Sequence, residues 1–159
     1  MFKKIFIIAT EPSGDLIGHK ILKIFKDKYP KTVFKGLGGE KMQSENFKSD
    51  FPIKELSVNG IYEVLIRILK LRKIFFSTLT SIRKFNPDLI ITIDSPSFNF
   101  RVVNRLQKLR NQQKFVHFVA PTVWAWKKYR AKKFSVAYDM ILTLFSFEPR
   151  YFLEYNKKT

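Results

Sequence analysis

A chain of 159 residues that is 45% hydrophobic and 16% aromatic, with 17 Phe, fits neither a disordered nor a collagen-like sequence. It is long enough for one domain with a substantial core and too short for two full-sized ones. With no Cys there are no disulfides, thiolate metal sites or thiol nucleophiles, and the two His, His19 and His117, lie too far apart in sequence to suggest a zinc site. Thirty Lys and Arg against 13 Asp and Glu give a formal charge of +17, which favours an anionic partner such as nucleic acid, a phospholipid headgroup or a nucleotide. Coding bias in an AT-rich genome, which inflates Lys, Phe, Ile and Asn, is the plain alternative.

Residues 3–9 form an Ile-rich run too short for a core helix, which predicts a buried first strand. The run ends at Thr10-Glu11-Pro12 without a small-residue cleavage pattern, so no secretory signal is expected, and no stretch approaches the roughly 20 apolar residues of a membrane span. A cytosolic protein is the expectation. Ile17, Ile21, Ile24 and Phe25 then recur at helical spacing as far as Tyr29-Pro30. Residues 32–34 start a second strand, closed by Gly36-Leu37-Gly38-Gly39, and 40–45 predict a brief helix, while 46–52 show no clear period. Ile61, Val64, Leu65, Ile68, Leu69, Phe75, Phe76, Leu79 and Ile82 describe one long helix, or two joined near Lys73, stopped by Asn86-Pro87-Asp88.

Leu89-Ile90-Ile91-Thr92-Ile93 is a second buried-strand run, followed by a helix over 98–109, a strand over 114–119 and a loop over 121–126. A helix over 127–137, a strand over 140–144 and a short helix over 149–155 complete the reading. Strands separated by helices predict an α/β fold, a Rossmann-like open and mostly parallel sheet with helices on both faces. No repeat, linker or composition shift divides the chain, so residues 1–147 read as one unit.

In such sheets ligands gather beyond the carboxyl ends of the strands. There the turn Thr10-Glu11-Pro12-Ser13-Gly14-Asp15 offers hydroxyls, carboxylates and a glycine at a helix start, where backbone amides can hold an anion. An ordinary N-cap by Ser13 or Asp15 is the alternative. Asp94 emerges from the second buried run, stiffened by Pro96, and is a candidate general base, or else a residue that caps the following helix or ties down the turn. Trp124 and Trp126 flank Ala125 after another strand and suit either an apolar wall with N–H donors or the core. The basic stretch of the long helix, with Ile68, Leu69, Arg72, Phe75 and Phe76, fits an interfacial membrane contact or a plain solvated face. Residues 127–133 are a second basic patch; no motif that would focus either patch on nucleic acid is present.

Ala9-Thr10-Glu11-Pro12-Ser13-Gly14-Asp15, Gly38-Gly39-Glu40-Lys41-Met42-Gln43, the segment from Leu56 to Leu65 and Pro121-Thr122-Val123-Trp124-Ala125-Trp126 together resemble the lipid-A-disaccharide synthase family. The resemblance is continuous over the chain and covers less than half of a family protein. It implies the N-terminal half of a GT-B glycosyltransferase, with residues 1–147 as the acceptor-side domain and 148–159 starting the connection to a missing C-terminal donor domain. The implied reaction joins 2,3-diacylglucosamine from its UDP conjugate to 2,3-diacylglucosamine 1-phosphate, at the cytoplasmic face of the bacterial inner membrane, with no cofactor or dedicated metal and no nucleic acid.

Asp94 matches the family's proposed acid-base carboxylate. Glu11, Ser13, Gly14, Asp15, Asn99, Trp124 and Trp126 fall in the matching substrate-side motifs, and Ile68, Leu69, Arg72, Phe75 and Phe76 match the apolar helix. Ser97 stands where the family commonly has an acidic residue. A separately encoded C-terminal half is one way the cleft could be completed. A basic lipid-binding or nucleic-acid-binding module, or an inactive remnant, is the competing reading.

Overall fold

The computed structural model describes residues 2–51, 61–110, 112–125 and 128–155, with the backbone alone for 61–68. Five strands, β1 (Lys4–Ala9), β2 (Val33–Leu37), β3 (Leu89–Ile93), β4 (Lys114–Phe118) and β5 (Met140–Leu142), form one parallel sheet in the order β2-β1-β3-β4-β5. The helices are α1 (Pro12–Lys28), α2 (Glu40–Gln43), α3 (Ile61–Phe85), α4 (Pro96–Arg105) and α5 (Tyr129–Ala137). The expected open α/β sheet is therefore present.

Central strands β1 and β3 are apolar almost throughout because both of their faces are covered. Ile5, Ile7, Ala9, Leu89, Ile91 and Ile93 pack with Ile21 and Leu22 of α1 and Met42 of α2. On the other face Phe6, Ile8, Ile90 and Phe115 meet Ile74, Leu79 and Ile82 of α3, Val102 and Val103 of α4, and Phe134 of α5. Each fully buried Ile or Phe contributes roughly 1.5–3 kcal/mol, so the sheet is held by its two middle strands.

Boundaries differ from the sequence expectation where local backbone chemistry decides. Helix α4 starts at Pro96 rather than at residue 98, because proline at the first helical position loses no needed N–H. Helix α3 runs unbroken through Lys73, a stretch without Gly or Pro, until Asn86 takes a left-handed φ of 48° before Pro87. Strand β4 ends at Phe118 because Val119 turns left-handed, with φ 69°. Gly36 lies inside β2 rather than closing it. The final helix shrinks to a 3-10 turn, Pro149–Tyr151, whose neighbour Phe152 is buried in the core. At the amino ends of the central strands, Asp88 accepts the Lys4 and Lys3 amides at 2.9 and 2.6 Å, and these bonds hold its carboxyl below the usual range.

A polar cluster is sealed between β3, β4 and α5. Thr92 Oγ1 lies 2.7 Å from Nδ1 of His117 and 3.3 Å from the Tyr138 hydroxyl, and the His117 ring packs on Phe134 and Tyr138. Burial pushes the imidazole down to about 3, only partly offset by the Val119 backbone, and pushes the Tyr138 phenol up.

Gly36 and His117 each make a measurable contribution to stability. A Cβ at Gly36, whose φ is 148°, would sit 1.8 Å from the Ile7 carbonyl oxygen; Gly36→Ala therefore lowers unfolding free energy by at least about 2 kcal/mol in urea titration. His117 is neutral when folded, whereas the unfolded chain binds its proton below pH 6.5. Its contribution is complete above that pH and is lost as pH falls toward 3, on the order of 4 kcal/mol in all. The pH 7 to pH 4 stability difference is thus smaller in His117→Gln than in the parent chain, as measured by parallel urea unfolding.

Candidate active site

Ala9 pairs with Ile93, and Ile93 with Phe118, so β1, β3 and β4 leave the sheet side by side at their carboxyl ends. After β1 the chain crosses through α1 toward β2, and after β3 through α4 toward β4. The two exits diverge, which opens a crevice between them at the topological switch point.

Hydroxyls and carboxylates stitch the floor of that crevice. Ser13 Oγ donates to Asp94 Oδ2 at 3.0 Å, Thr10 Oγ1 donates to Ser95 Oγ at 2.7 Å, and Ser95 Oγ donates to Glu11 Oε1. Asp94 Oδ1 accepts the Ser95 amide at 2.8 Å. The Asp94 side chain is half-buried and those of Ser13 and Glu11 are exposed, so the carboxylates remain reachable from solvent. Neither α1 nor α4 takes a side-chain cap, since Glu11 and Ser95 stand at their N-caps without one, but Asp94 does tie down its turn through the Ser95 amide.

Beside this cluster lies a cavity of about 230 Å³ lined by Pro96, Ser97, Pro121, Thr122, Val123 and Arg130. Arg130 Nη2 donates to Ser97 Oγ at 3.1 Å, which brings a guanidinium from α5 to the start of α4. A space of this size, with one cation, two hydroxyls and the amino end of a helix, suits a sugar hydroxyl or phosphate group.

Other residues singled out from the sequence stand elsewhere. Asp15 is buried, and its carboxylate accepts the amides of Gly39, Lys41 and Met42 at 2.7, 3.0 and 3.1 Å, clamping α2 to α1 instead of facing the crevice. Gly14 is also buried; a Cβ there would make ordinary contact with the Ile93 carbonyl oxygen at 3.4 Å and with the Ala9 and Ile93 side chains, so this position packs against β1 and β3 instead of facing the crevice. Asn99 is wholly buried and donates from Nδ2 to the carbonyls of Asp94 and Ile93, at 2.7 and 3.2 Å, behind the crevice.

Trp124 donates its indole N–H to Glu148 Oε1 at 3.3 Å and packs its ring on Phe147, so only part of the ring is offered to solvent. Trp126 lies outside the described residues. On α3, Leu69, Arg72 and Phe76 are exposed with the Arg72 guanidinium over the Phe76 ring, while Phe75 packs against Phe98 of α4; the side chain of Ile68 lies outside the described residues.

Sequence reasoning named the turn containing Thr10, and Asp94 and Pro96 on either side of Ser95, but gave no role to the Thr10 and Ser95 side chains, which link the loops. Nothing local reveals that hydroxyls 85 residues apart will meet. Glu148 was missed as well: it is buried, yet its partners Trp124, Leu144 and Phe145 carry no sequence signature for it.

Comparison with known proteins decides the family. A family model described as lipid-A-disaccharide synthetase matches residues 5–159. The chain belongs to the lipid-A-disaccharide synthetase family. Among curated relatives, the lipid-A-disaccharide synthase of Granulibacter bethesdensis is 40% identical over 152 residues, covering 96% of this chain and 38% of that protein. Those of Rickettsia felis and Paramagnetospirillum magneticum are 43% and 42% identical, covering 94% and 98% of this chain and 38% and 40% of theirs. The chain thus spans about two fifths of the length of these synthases.

The UDP-GlcNAc 2-epimerase of Neisseria meningitidis, solved with UDP-GlcNAc, superposes with a TM-score of 0.55 at 12% identity, over 95% of this chain and 42% of that one. A Listeria monocytogenes protein described as a UDP-N-acetylglucosamine 2-epimerase gives 0.61 at 16% identity, over 97% of this chain and 42% of its own. Both likenesses concern the fold alone. Among the described residues of this lipid-A-disaccharide synthetase family chain, no helix is long and apolar enough to cross a membrane, and no group of three or more His, Asp or Glu could hold a metal ion.

The assignment of Asp15 to a clamp is testable. Asp15→Ala strands three amides, two of them buried, and is expected to cost about 2–4 kcal/mol in urea unfolding, with Asp15→Asn retaining part of that stability. An unchanged unfolding midpoint in Asp15→Ala would return this carboxylate to the candidate ligand contacts.

Proposed function

We propose that this chain forms the acceptor side of a lipid-A-disaccharide synthase and that Asp94 is its acid-base carboxylate. The observation that carries the reading is the position of Asp94, half-buried at the carboxyl end of the central strand β3 and hydrogen-bonded to the Ser13 hydroxyl across the crevice. In the proposed reaction, Asp94 accepts the proton of the 6-hydroxyl of 2,3-diacylglucosamine 1-phosphate. That oxygen attacks the anomeric carbon of UDP-2,3-diacylglucosamine as the bond to the diphosphate breaks, and UDP leaves with the electron pair. The product is the β-1,6-linked disaccharide with inversion at the anomeric carbon. Ser13 orients the carboxylate, and the cavity between Ser97, Thr122 and Arg130 receives hydroxyl or phosphate oxygens.

Both substrates carry acyl chains, so the enzyme must meet them at a lipid surface. Exposed Leu69 and Phe76, with Arg72 beside them on α3, together with the net charge of +17, support a peripheral contact with anionic lipid on the cytoplasmic face of the inner membrane. The length that the relatives have beyond this chain supplies, in this reading, a donor domain that holds the UDP moiety. It comes from the same polypeptide or from a separately encoded half, with residues from 148 onward leading to it.

The test combines this chain with the remaining length of a relative and follows transfer from the UDP-sugar by mass spectrometry of the disaccharide. Asp94→Asn is expected to lower kcat by about 10²- to 10⁴-fold. It should leave the fold intact, since Asn tolerates the left-handed backbone as readily as Asp. Turnover within twofold of the parent would refute the role of Asp94.

A further inference from the structure

We propose that Asn99 is the positioning residue of Asp94: it holds the backbone in the strained turn that aims the carboxylate into the crevice. The inference rests on the reading of Asp94 as the acid-base group for its functional consequence, but its structural content stands on the turn itself. Asp94 and Ser95 are successive non-glycine residues in the left-handed region, with φ of 53° and 40°. Such a pair is unfavourable for residues bearing a Cβ and persists only where the surroundings over-determine it.

One residue supplies most of that determination. Asn99 Nδ2 donates to the Ile93 carbonyl at 3.2 Å and to the Asp94 carbonyl at 2.7 Å, and its backbone N–H donates to the Ser95 carbonyl at 3.1 Å. Three consecutive carbonyl oxygens are thus gathered by a single residue one helical turn further on. Both side-chain partners are acceptors, which fixes the amide with its nitrogen toward the turn. Oδ1 is left buried without a hydrogen-bond partner; the fold tolerates that unsatisfied acceptor to keep the two donors in place.

With the carbonyls held by Asn99, the remaining polar atoms of Asp94 are assigned as well. Its N–H donates to the Phe118 carbonyl at 3.0 Å, Oδ1 accepts the Ser95 amide and Oδ2 accepts the Ser13 hydroxyl. Because Asn99 is fully buried, it cannot touch a substrate and acts only through Asp94. Removing its amide releases the carbonyls on either side of the Asp94 Cα. The turn then relaxes toward negative φ, and the carboxylate rotates away from Ser13.

The test uses Asn99→Ala, Asn99→Asp, which keeps the size and replaces the donor nitrogen by an acceptor, and Ser95→Gly. The backbone of residues 94 and 95 is read by crystal structure or by NMR couplings in the 159-residue chain. Both Asn99 variants are expected to lose the left-handed φ at Asp94. Glycine accepts that conformation without strain, so the change in the unfolding constant caused by Asn99→Ala should be at least fivefold smaller in the S95G background than in the parent. A role in packing alone predicts equal changes in both backgrounds.

In the complemented enzyme, Asn99→Ala should lower kcat at least tenfold with KM within twofold, and should add nothing further in the D94N background. Retention of the left-handed φ at 94 and 95 in Asn99→Ala, equal unfolding effects in both S95 backgrounds, or kcat within twofold of the parent while D94N is inactive would each overturn the proposal. If D94N itself keeps full turnover, the reading of Asp94 falls, and the backbone and unfolding measurements still decide the role of Asn99 in the turn.

Discussion

The register of β1 against β3 is the constraint on which the rest depends. Because Ile5 lies opposite Leu89 and Ala9 opposite Ile93, the next residues out of the two strands, Thr10 and Asp94, emerge as neighbours. Parallel strands lie about 4.8 Å apart, a gap that short side chains beyond the strand ends can bridge. The links Ser13 to Asp94 and Thr10 to Ser95 to Glu11 are direct consequences. A slip of one residue would reverse the faces of Ile90 and Ile91, expose the wrong core set and separate the two loops together. The packing that stabilises the sheet and the pairing that assembles the crevice are therefore one arrangement.

Carboxylates are scarce in this chain, and most of the well-placed ones tie down backbone amides. Asp15 holds Gly39, Lys41 and Met42; Asp88 holds Lys3 and Lys4; Asp139 holds Phe115; Glu148 holds Leu144 and Phe145. Each fixes a turn, a strand end or a helix start and is consumed by it. The crevice pair is bound differently. Oδ2 of Asp94 and Oε1 of Glu11 face hydroxyl donors, whose hydrogens rotate, instead of rigid amides. A carboxylate held by a hydroxyl can give up that bond to an incoming sugar hydroxyl without breaking the fold, which is the property the proposed proton transfer requires. With so many acids used as internal ties, the large cationic excess is left to the surface.

Much of the architecture was legible in the sequence because its signals are local. Two apolar runs of the buried-strand type and three shorter strand-like segments, separated by helical stretches, are enough to specify βα units, and Leu89-Ile90-Ile91-Thr92-Ile93 coincides with β3 residue for residue. Asp94 was legible for the same reason, a carboxylate directly after a strand. Tertiary partnership was not legible. Asp15 and Gly14 sit in the same turn as Ser13, yet one faces α2, one packs on β3 and only Ser13 reaches Asp94. The phase of helix α1 decides which does which, and that phase is set by Ile21 and Leu22 docking on β1 and β3. Trp124 shows the same limit: its indole N–H is taken by Glu148, a residue 24 positions away that no motif links to it.

The cavity owes its shape to strain at two adjacent strand ends. Asp94 and Ser95 after β3, and Val119 after β4, are left-handed, the last being a β-branched residue that seldom adopts such a φ. In each case one more sheet bond forms before the chain turns, Asp94 N–H to Phe118 and Val119 N–H to Leu142. A proline then stiffens the outgoing backbone, Pro96 in one loop and Pro121 in the other. The cavity walls are the segments after these turns, Pro96 and Ser97 on one side and Pro121, Thr122 and Val123 on the other. Relaxed extended exits would carry both segments straight past the sheet edge and leave no concavity. The buried polar groups near the strand ends, Asn99 behind β3 and the Thr92–His117–Tyr138 cluster between β3 and β4, brace these exits from within. Thr92, Asn99 and His117 are thus buried polar groups placed beside the backbone that departs from the conformation its residues prefer.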